Sequence, residues 1–314
     1  MQKIIYTLIK WVFAAAAYAF LAYKLYTFEH YSELWKTLQS FDLKQFVWFA
    51  IVLLLLVPNL ILEALKWKFL NRKIEKFSLK KSLKAILAGI STGFFTPNRI
   101  GEMAGRILYN SPENRPKGVT LSIISGLTMT LTVLIVGIPA LAAFLFFTNK
   151  DLINNKLIYF SFAIFLTILL LCIYFLLPKI GKKFTENTKF PKISTFFSHL
   201  QNFSAKDLFL ILCVAFGRYF VFCLQMYCIL RFFRIFIPIN YSIAGICSNY
   251  LFITLTPSFS FSEGAVRSSW AAVVFGALGA NQISCILAGI SIWLINTMLP
   301  VICGTFFILK KKNS

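Results

Sequence analysis

Long apolar segments, several near twenty residues and almost free of charge, dominate the pattern of hydrophobic and polar positions. The hydrocarbon core of a bilayer is about 30 Å thick, and a helix needs about 20 apolar residues to cross it. A β-barrel would instead show segments of about ten alternating residues, which this sequence lacks. The pattern therefore predicts an all-α polytopic membrane protein with six spanning helices: about 4–24, 45–65, 118–147, 157–177, 207–230 and 283–309.

Two further apolar stretches, 82–110 and 241–280, are each interrupted near the middle by a Thr-Pro dipeptide. The apolar part 82–95 would be about 21 Å long as a helix, too short to cross the bilayer comfortably. Lysines and arginines flank 82–110 on both sides, and such loops remain on the cytoplasmic side. We therefore predict that this segment is a re-entrant hairpin. The segment 241–280 is interpreted in the same way, as a hairpin entering from outside.

The net charge of +21 raises the question of nucleic-acid binding, but the basic residues lie in short loops between apolar segments. Eight lysines and arginines fall within 66–84, six lysines within 179–206, and three lysines at 310–312. This is the positive-inside pattern, which predicts a cell-membrane protein with both termini in the cytoplasm and no nucleic-acid partner. Arg231 and Arg234 do not fit it, because this topology places them outside.

Metal and cofactor sites have no support in the sequence. The seven cysteines all lie within apolar segments without a Cys-x-x-Cys spacing, and the two histidines are far apart. Buried, chemically inert cysteines are the simpler interpretation. We therefore expect no metal and no cofactor.

The two interrupted segments share a motif, TPNRIGEMAGR at 96–106 and TPSFSFSEGAVR at 256–267. Each has Thr-Pro, a short polar insert, and a glutamate followed four residues later by an arginine. Each also follows two predicted spans and precedes a third, so 1–148 and 149–314 form two repeats. Three crossings per repeat make the second repeat inverted, and interrupted helices at matching positions indicate a transporter's binding site. The predicted turn residues are Thr96, Pro97, Gly101, Thr256, Pro257 and Gly264.

Ionisable residues within membrane segments are costly and mark functional sites. Structural roles remain open for several of them: Glu and Arg four residues apart can pair on one helix, and Ser260 with Glu263 fits a capping box. Arg218 could bind a helix-end carbonyl, and Glu63 could pair with Lys66 or Lys68. The third span is long enough to be two segments, divided near Pro139. The candidate substrate-binding residues are Arg99, Glu102, Arg106, Arg218, Glu263 and Arg267.

The two turns resemble motifs of the flippase-like family, also called the lysylphosphatidylglycerol synthase transmembrane region. The first family motif is similar to P-x-R-x-G-E-x-x-R and corresponds here to Pro97, Arg99, Gly101, Glu102 and, one residue further on, Arg106. The second family motif is glycine-rich, and its matching positions are Thr256, Pro257, Glu263 and Gly264. Serines and phenylalanines at 258–262 replace the family's glycines, which leaves open whether this chain moves the family's usual lipid.

The resemblance implies translocation of a phospholipid or lipid-linked headgroup between leaflets, with aminoacylated phosphatidylglycerol as the cargo of two-domain members. The chain ends at Ser314, so we expect no synthase domain and no enzymatic activity. The expected partners are anionic or aminoacylated phospholipids or a lipid-phosphate carrier, and a homo-oligomer remains compatible with the sequence. Arg106 and Arg267 would hold phosphate alternately, because the guanidinium fork matches phosphate oxygens. Glu102 and Glu263 would receive an amine or a proton.

Three other functions compete with this interpretation. A membrane enzyme acting on lipid-linked substrates would need a nucleophile or acid–base set, and the sequence offers neither a useful histidine nor an acidic metal-binding pair. A non-transporting accessory protein for envelope or lipid-carrier assembly would not need paired ionisable turns. A different transporter with re-entrant hairpins, such as the VTT-type lipid-carrier translocases, is the third alternative.

Overall fold

The computed structural model describes residues 42–94, 96, 99–149, 156–187, 201–257 and 260–310. Within these residues the chain is helical and contains no strand. The predicted first span at 4–24 and the turn residue Pro97 lie outside the described residues. The helices are α1 Leu43–Asn71, α2 Leu79–Gly93, α3 Gly101–Ile107, α4 Arg115–Thr148, α5 Lys156–Asn187, α6 Ala205–Phe232, α7 Ile239–Leu255, α8 Ser260–Gly276, α9 Gln282–Trp293 and α10 Leu299–Lys310, with a π-helical turn Leu294–Met298 joining α9 to α10.

Five helical segments in the described part of the chain are long and apolar enough to cross a membrane. They coincide with the second to sixth predicted spans: Leu43–Asn71, Pro112–Thr148, Leu157–Lys183, Ala205–Phe232 and Gln282–Ile308. The predicted third span is one helix, because Pro139 lies inside α4 without ending it. Helices α2 and α6 begin where a loop side chain satisfies a free backbone N–H: Ser78 caps α2 and Ser204 caps α6.

Helices α2 and α3 form a close antiparallel pair. A Cβ atom on Gly105 would lie 2.5 Å from the Ala88 carbonyl oxygen and 2.3 Å from the Thr92 hydroxyl, so only glycine permits this approach. The Thr92 hydroxyl donates a 2.7 Å hydrogen bond to the Gly101 carbonyl across the pair. Small residues and hydroxyl–carbonyl bonds of this kind are how helices associate inside membranes.

The two outer ends of the α2–α3 pair lie together. Glu75, which precedes α2, accepts a 3.0 Å hydrogen bond from the backbone N–H of Ser111, which follows α3. The Asn110 side chain donates a 2.8 Å bond to Asn71 at the end of α1. The chain therefore enters and leaves this pair at the same end.

Helices α7 and α8 also pack against each other. The Trp270 indole N–H donates a 2.9 Å hydrogen bond to the Thr256 hydroxyl, and the Trp270 ring stacks on Phe252 at 4.5 Å between centroids. The last residues of α7 thus contact the middle of α8.

Helices from the two halves of the sequence interleave. Helix α1 packs along α6, α4 packs against α7, and α10 packs against α2. Glycines allow the last two approaches: a Cβ on Gly137 would lie 2.9 Å from Leu251, and a Cβ on Gly304 would lie 2.0 Å from the Leu87 carbonyl oxygen. The buried core lies between the halves, so a site at its centre draws residues from both.

Candidate functional site

A cavity of about 460 Å³ lies where α1, the α2–α3 pair, α4, α6, the ends of α7 and α8, and the π-helical turn meet. Its walls are partly apolar and partly polar, with apolar side chains such as Met129 and Phe222 beside the hydroxyl groups of Ser122 and Thr130. The charged side chains that line it, among the described residues, are Glu63, Lys66, Arg99, Glu102, Arg106, Arg218 and Arg267.

Glu63 is the centre of the charged cluster. Its carboxylate lies 2.8 Å from the Lys66 ammonium, 2.8 Å from the Arg106 guanidinium and 2.7 Å from the Arg218 guanidinium. The Glu63 side chain is 2% exposed. The two α1 residues lie one helical turn apart, so both reach the same space. The structure confirms pairing of Glu63 with Lys66, but the partnership extends to two arginines from other helices.

Lys66 is buried rather than part of the basic loop, where the sequence placed it. Its side chain is 1% exposed, and the ammonium also donates a 3.2 Å hydrogen bond to the Ser125 carbonyl of α4. The reason is that α1 continues to Asn71, beyond the predicted end near residue 65. A charged residue in the last turns of a spanning helix therefore faces the protein interior.

Arg106 connects Glu63 with the first sequence motif. Besides Glu63, its guanidinium binds Glu102 at 3.0 Å and donates to the Ser125 hydroxyl at 3.2 Å. The group also lies 5.6 Å from the centre of the Trp67 ring, within range of a cation–π contact. The predicted Glu102–Arg106 pair exists, and Arg106 carries a second carboxylate as well.

Arg99 occupies the turn between α2 and α3 in an unusual backbone conformation. Its φ of 56° lies in the left-handed region, which is unfavourable for a bulky side chain. Its guanidinium lies 3.1 Å from Glu102, and the side chain is 31% exposed. Local strain of this kind persists where surrounding contacts enforce it and often occurs at functional sites. Here it directs a cation to the cavity.

A chain of side-chain amides holds Arg218 in place. Arg218 Nε donates to Asn59 Oδ1 at 2.8 Å, Asn59 Nδ2 donates to Asn296 Oδ1 at 3.1 Å, and Asn296 Nδ2 donates to Gln225 Oε1 at 3.1 Å. Gln225 Nε2 then donates to the Val52 carbonyl oxygen at 3.1 Å. These amides are not among the site residues predicted from the sequence, although a polar residue within an apolar span is a signal that could have indicated them.

The π-helical turn brings Asn296 and Thr297 to the cavity wall. A π-helical turn inserts an extra residue and rotates the side chains that follow it, and such turns frequently mark functional sites. The turn therefore explains why an otherwise apolar last span contributes polar groups here.

The second motif contributes one cation to the cavity and one carboxylate behind it. Arg267 lines the cavity and binds Glu263 through two hydrogen bonds, at 2.7 and 3.1 Å. Glu263 is buried, and its Oε2 atom has no hydrogen-bond partner among the described residues. Glu263 also interacts electrostatically with Arg99 of the first motif. The two motifs, which are far apart in sequence, therefore meet.

The turn residues hold the backbone rather than line the cavity. The Thr96 hydroxyl accepts a 2.7 Å hydrogen bond from the Gly101 N–H, and Thr256 holds Trp270 as described above. A Cβ on Gly264 would lie 3.0 Å from the Trp293 ring, so this glycine allows close packing. Pro257 is exposed at the end of α7.

The charge balance of the site favours an anion. Its five cations outnumber the two lining carboxylates, and they still outnumber the carboxylates when Glu263 is included. In a medium of low polarity an uncompensated positive charge is costly, and an incoming anion would relieve that cost. Guanidinium groups also match phosphate and carboxylate oxygens in pairs.

Comparison with protein-family models shows a match to the family described as lysylphosphatidylglycerol synthase TM region, over residues 8–304. Neither the curated proteins nor the solved structures give a significant match to this sequence. The family match covers both motifs, all of the cavity and nearly the whole chain. The chain therefore belongs to the lysylphosphatidylglycerol synthase transmembrane-region family of multi-pass membrane proteins.

Proposed function

We propose that this protein is a lipid translocase, which moves a phospholipid or lipid-linked headgroup between the leaflets of the cell membrane without covalent chemistry. The observation that carries the proposal is the cavity in which Arg106 of the first motif and Arg267 of the second face one space with a surplus of positive charge. Membership of the family supports it, because the family motifs supply those charges.

The proposal includes the membrane topology. We infer that α2–α3 and α7–α8 are re-entrant hairpins and that both chain termini lie in the cytoplasm. The contact between Glu75 and Ser111 supports this for the first pair, because the pair then starts and ends on one side of the membrane. The second pair is joined by the contact between Trp270 and Thr256.

An inverted repeat accounts for the interleaved packing. With 1–148 and 149–314 as the repeats, α4 is the third span of the first repeat and α10 is the last part of the third span of the second. Helices α2 and α7 are the first arms of the two hairpins. Helix α4 packs on α7, and α10 packs on α2, so each third span packs on the hairpin of the opposite repeat. This reciprocal exchange is the arrangement that a pseudo-two-fold axis in the membrane plane produces.

Headgroup recognition is divided between the cations and Glu102. We infer that Arg106, Arg218 and Arg267 bind the phosphate, because their guanidinium groups face the cavity and suit phosphate oxygens. Glu102 is the more accessible carboxylate, with a side chain 21% exposed against 2% for Glu63. Glu102 therefore suits a headgroup amine, whereas Glu63 neutralises its neighbours.

A leaflet-exposure assay in cells tests this proposal. The fraction of anionic or aminoacylated phospholipid in the outer leaflet is measured with and without expression of the protein. We expect wild type to change that fraction, and Glu102→Gln or Arg267→Ala to abolish the change. Arg115→Gln is the control, because Arg115 is exposed at the start of α4 and away from the cavity. If both site variants change that fraction as much as wild type does, the proposal is contradicted.

A further inference from the structure

The wall that α4 contributes to the cavity is open at Gly126. A Cβ built on Gly126 would meet no heavy atom of the described residues within 4 Å. Gly126 and Thr130, one turn further along α4, both line the cavity and both are exposed. Residues that face the cavity and the exterior at once form the edge of an opening, whereas Ser125 beside them is buried.

Two further exposed residues of the cavity lining come from the turn of the first helix pair and from the end of α7. Ile100, next to Arg99, lines the cavity and is 56% exposed. Thr254, near the end of α7, lines the same cavity and is also exposed. The cavity is therefore accessible from the side, between α4 and these two segments.

This opening lies at membrane depth. Gly126 follows the start of α4 at Arg115 by eleven residues, which is about 16 Å along a helix. Helix α4 has 34 residues and is about 51 Å long, whereas the hydrocarbon core is about 30 Å thick, so the opening falls inside the core on the side where α4 begins. The outer surface around it is apolar, with Leu127 50% exposed and Leu255 61% exposed. A side opening at this depth faces lipid chains rather than water.

The change in polarity from the cavity to the surface outside it fits one class of ligand. Inside the cavity lie the guanidinium groups that suit a phosphate, whereas Leu127 and Leu255 beside the opening expose apolar side chains. A diacyl phospholipid has this polarity, with an anionic head and hydrocarbon tails. A soluble anion carries no hydrocarbon chains and would not enter through an opening that faces lipid.

We propose that the gap bounded by Gly126, Thr130, Ile100 and Thr254 is a lateral portal, in which the acyl chains remain in the bilayer while the headgroup occupies the charged cavity. This inference rests on the proposed function, because it takes the lipid as the cavity's ligand. Glycine at 126 keeps the portal wide enough for a hydrocarbon chain, since any larger side chain there would project into it.

A plug at Gly126 tests the portal. Gly126→Trp places an indole in the gap, and the open space around the Cβ lets the side chain leave the helix without a clash at its first atom. Leu127→Trp is the matched control, because it adds the same ring one residue away on the lipid-facing surface. Both variants are reconstituted into vesicles with a fluorescent phosphatidylglycerol, and its transfer between leaflets is followed. We expect Gly126→Trp to slow transfer at least about tenfold, equivalent to about 1.4 kcal/mol on the barrier, and Leu127→Trp to leave it near the wild-type rate.

A second measurement does not depend on transport. Phosphatidylglycerol with a photoactivatable group on its glycerol headgroup is cross-linked to the protein in the same vesicles, and the labelled residues are mapped. We expect labelling of the cavity-lining Met129 that is lost in Gly126→Trp, retained in Leu127→Trp, and absent with photoactivatable phosphatidylcholine. Labelling without any wild-type transfer would refute the proposed function but support the portal as a lipid-binding site. Transfer by Gly126→Trp at the wild-type rate, or Met129 labelling that persists in Gly126→Trp, would overturn the portal.

Discussion

Replacement of Glu63 by glutamine removes the charge that pairs with three cations, of which Lys66 and Arg106 are buried and Arg218 is half-buried. The carboxylate lies within 2.8 Å of Lys66, Arg106 and Arg218, and both its own side chain and that of Lys66 are almost fully buried. Glutamine keeps the size and one hydrogen-bond acceptor, so the change is close to a pure loss of charge. Arg106 retains Glu102 at 3.0 Å, but Lys66 and Arg218 retain only uncharged acceptors.

The expected loss is large. Removal of one partner from a buried ion pair costs about 3–5 kcal/mol, because the other charge remains buried without compensation. Two cations lose their only carboxylate here, so we expect Glu63→Gln to lower the free energy of unfolding by at least about 3 kcal/mol. Against a total stability of about 5–15 kcal/mol, this is a large fraction.

Unfolding of the purified protein in detergent measures the effect. Glu113→Gln is the control, because Glu113 is exposed before α4 and should change the unfolding free energy very little. A double variant adds a sharper test: Lys66→Met should stabilise the Glu63→Gln protein, since it removes one uncompensated cation. Coupling of this kind is expected between residues in contact. A loss below about 1 kcal/mol for Glu63→Gln, the range of an exposed pair, would refute the reasoning. Further destabilisation by Lys66→Met would refute it as well.

Two further predictions concern the α2–α3 pair. Gly105→Val should destabilise the protein by about 1–3 kcal/mol, because a Cβ there lies 2.5 Å from a carbonyl oxygen of α2. Gly126→Ala should not destabilise the protein, because a Cβ at residue 126 meets open space. Equal unfolding temperatures for Gly105→Val and Gly126→Ala would contradict this prediction. Burial tends to raise the pKa of Glu75, but hydrogen bonds from Lys81 and Ser111 outweigh it and hold that pKa below its ordinary value. The contribution of Glu75 to stability is therefore complete above the pKa of the carboxyl in the unfolded chain, about 4.3. That contribution is lost as the pH falls through the lower pKa of Glu75 in the folded protein. Unfolding temperatures of wild type and Glu75→Gln should converge at acidic pH, and a constant difference between them down to pH 3 would contradict this.

The spans and the ion pairs within each motif could be predicted because both depend on local sequence. A run of about 20 apolar residues specifies a spanning helix, and a spacing of four places Glu102 beside Arg106. The boundary of α1 could not be predicted, because hydropathy falls at the first charge whereas the helix continues to Asn71. The apolar pattern ends near residue 65 and therefore predicts a loop position for Lys66, which lies within α1.

The long-range part of the site was beyond sequence reasoning for a different reason. The amide chain joins Asn59 to Asn296, which are 237 residues apart, and no local pattern specifies such a partner. The π-helical turn that presents Asn296 likewise depends on packing around α9 and α10. Arg218 was predicted as a candidate from its isolated charge in an apolar span, but its binding to Glu63 required the fold.

The most direct test of the central claim is transfer of fluorescent phosphatidylglycerol between the leaflets of vesicles that contain only the purified protein. The account predicts that wild type accelerates transfer over protein-free vesicles, that Arg267→Gln abolishes the acceleration, and that Arg115→Gln retains it. Arg267 is the informative residue, because it lines the cavity yet pairs only with Glu263 among the described carboxylates, so its loss should leave the Glu63 cluster intact. Transfer by Arg267→Gln at the wild-type rate, or no acceleration by wild type, would contradict the account.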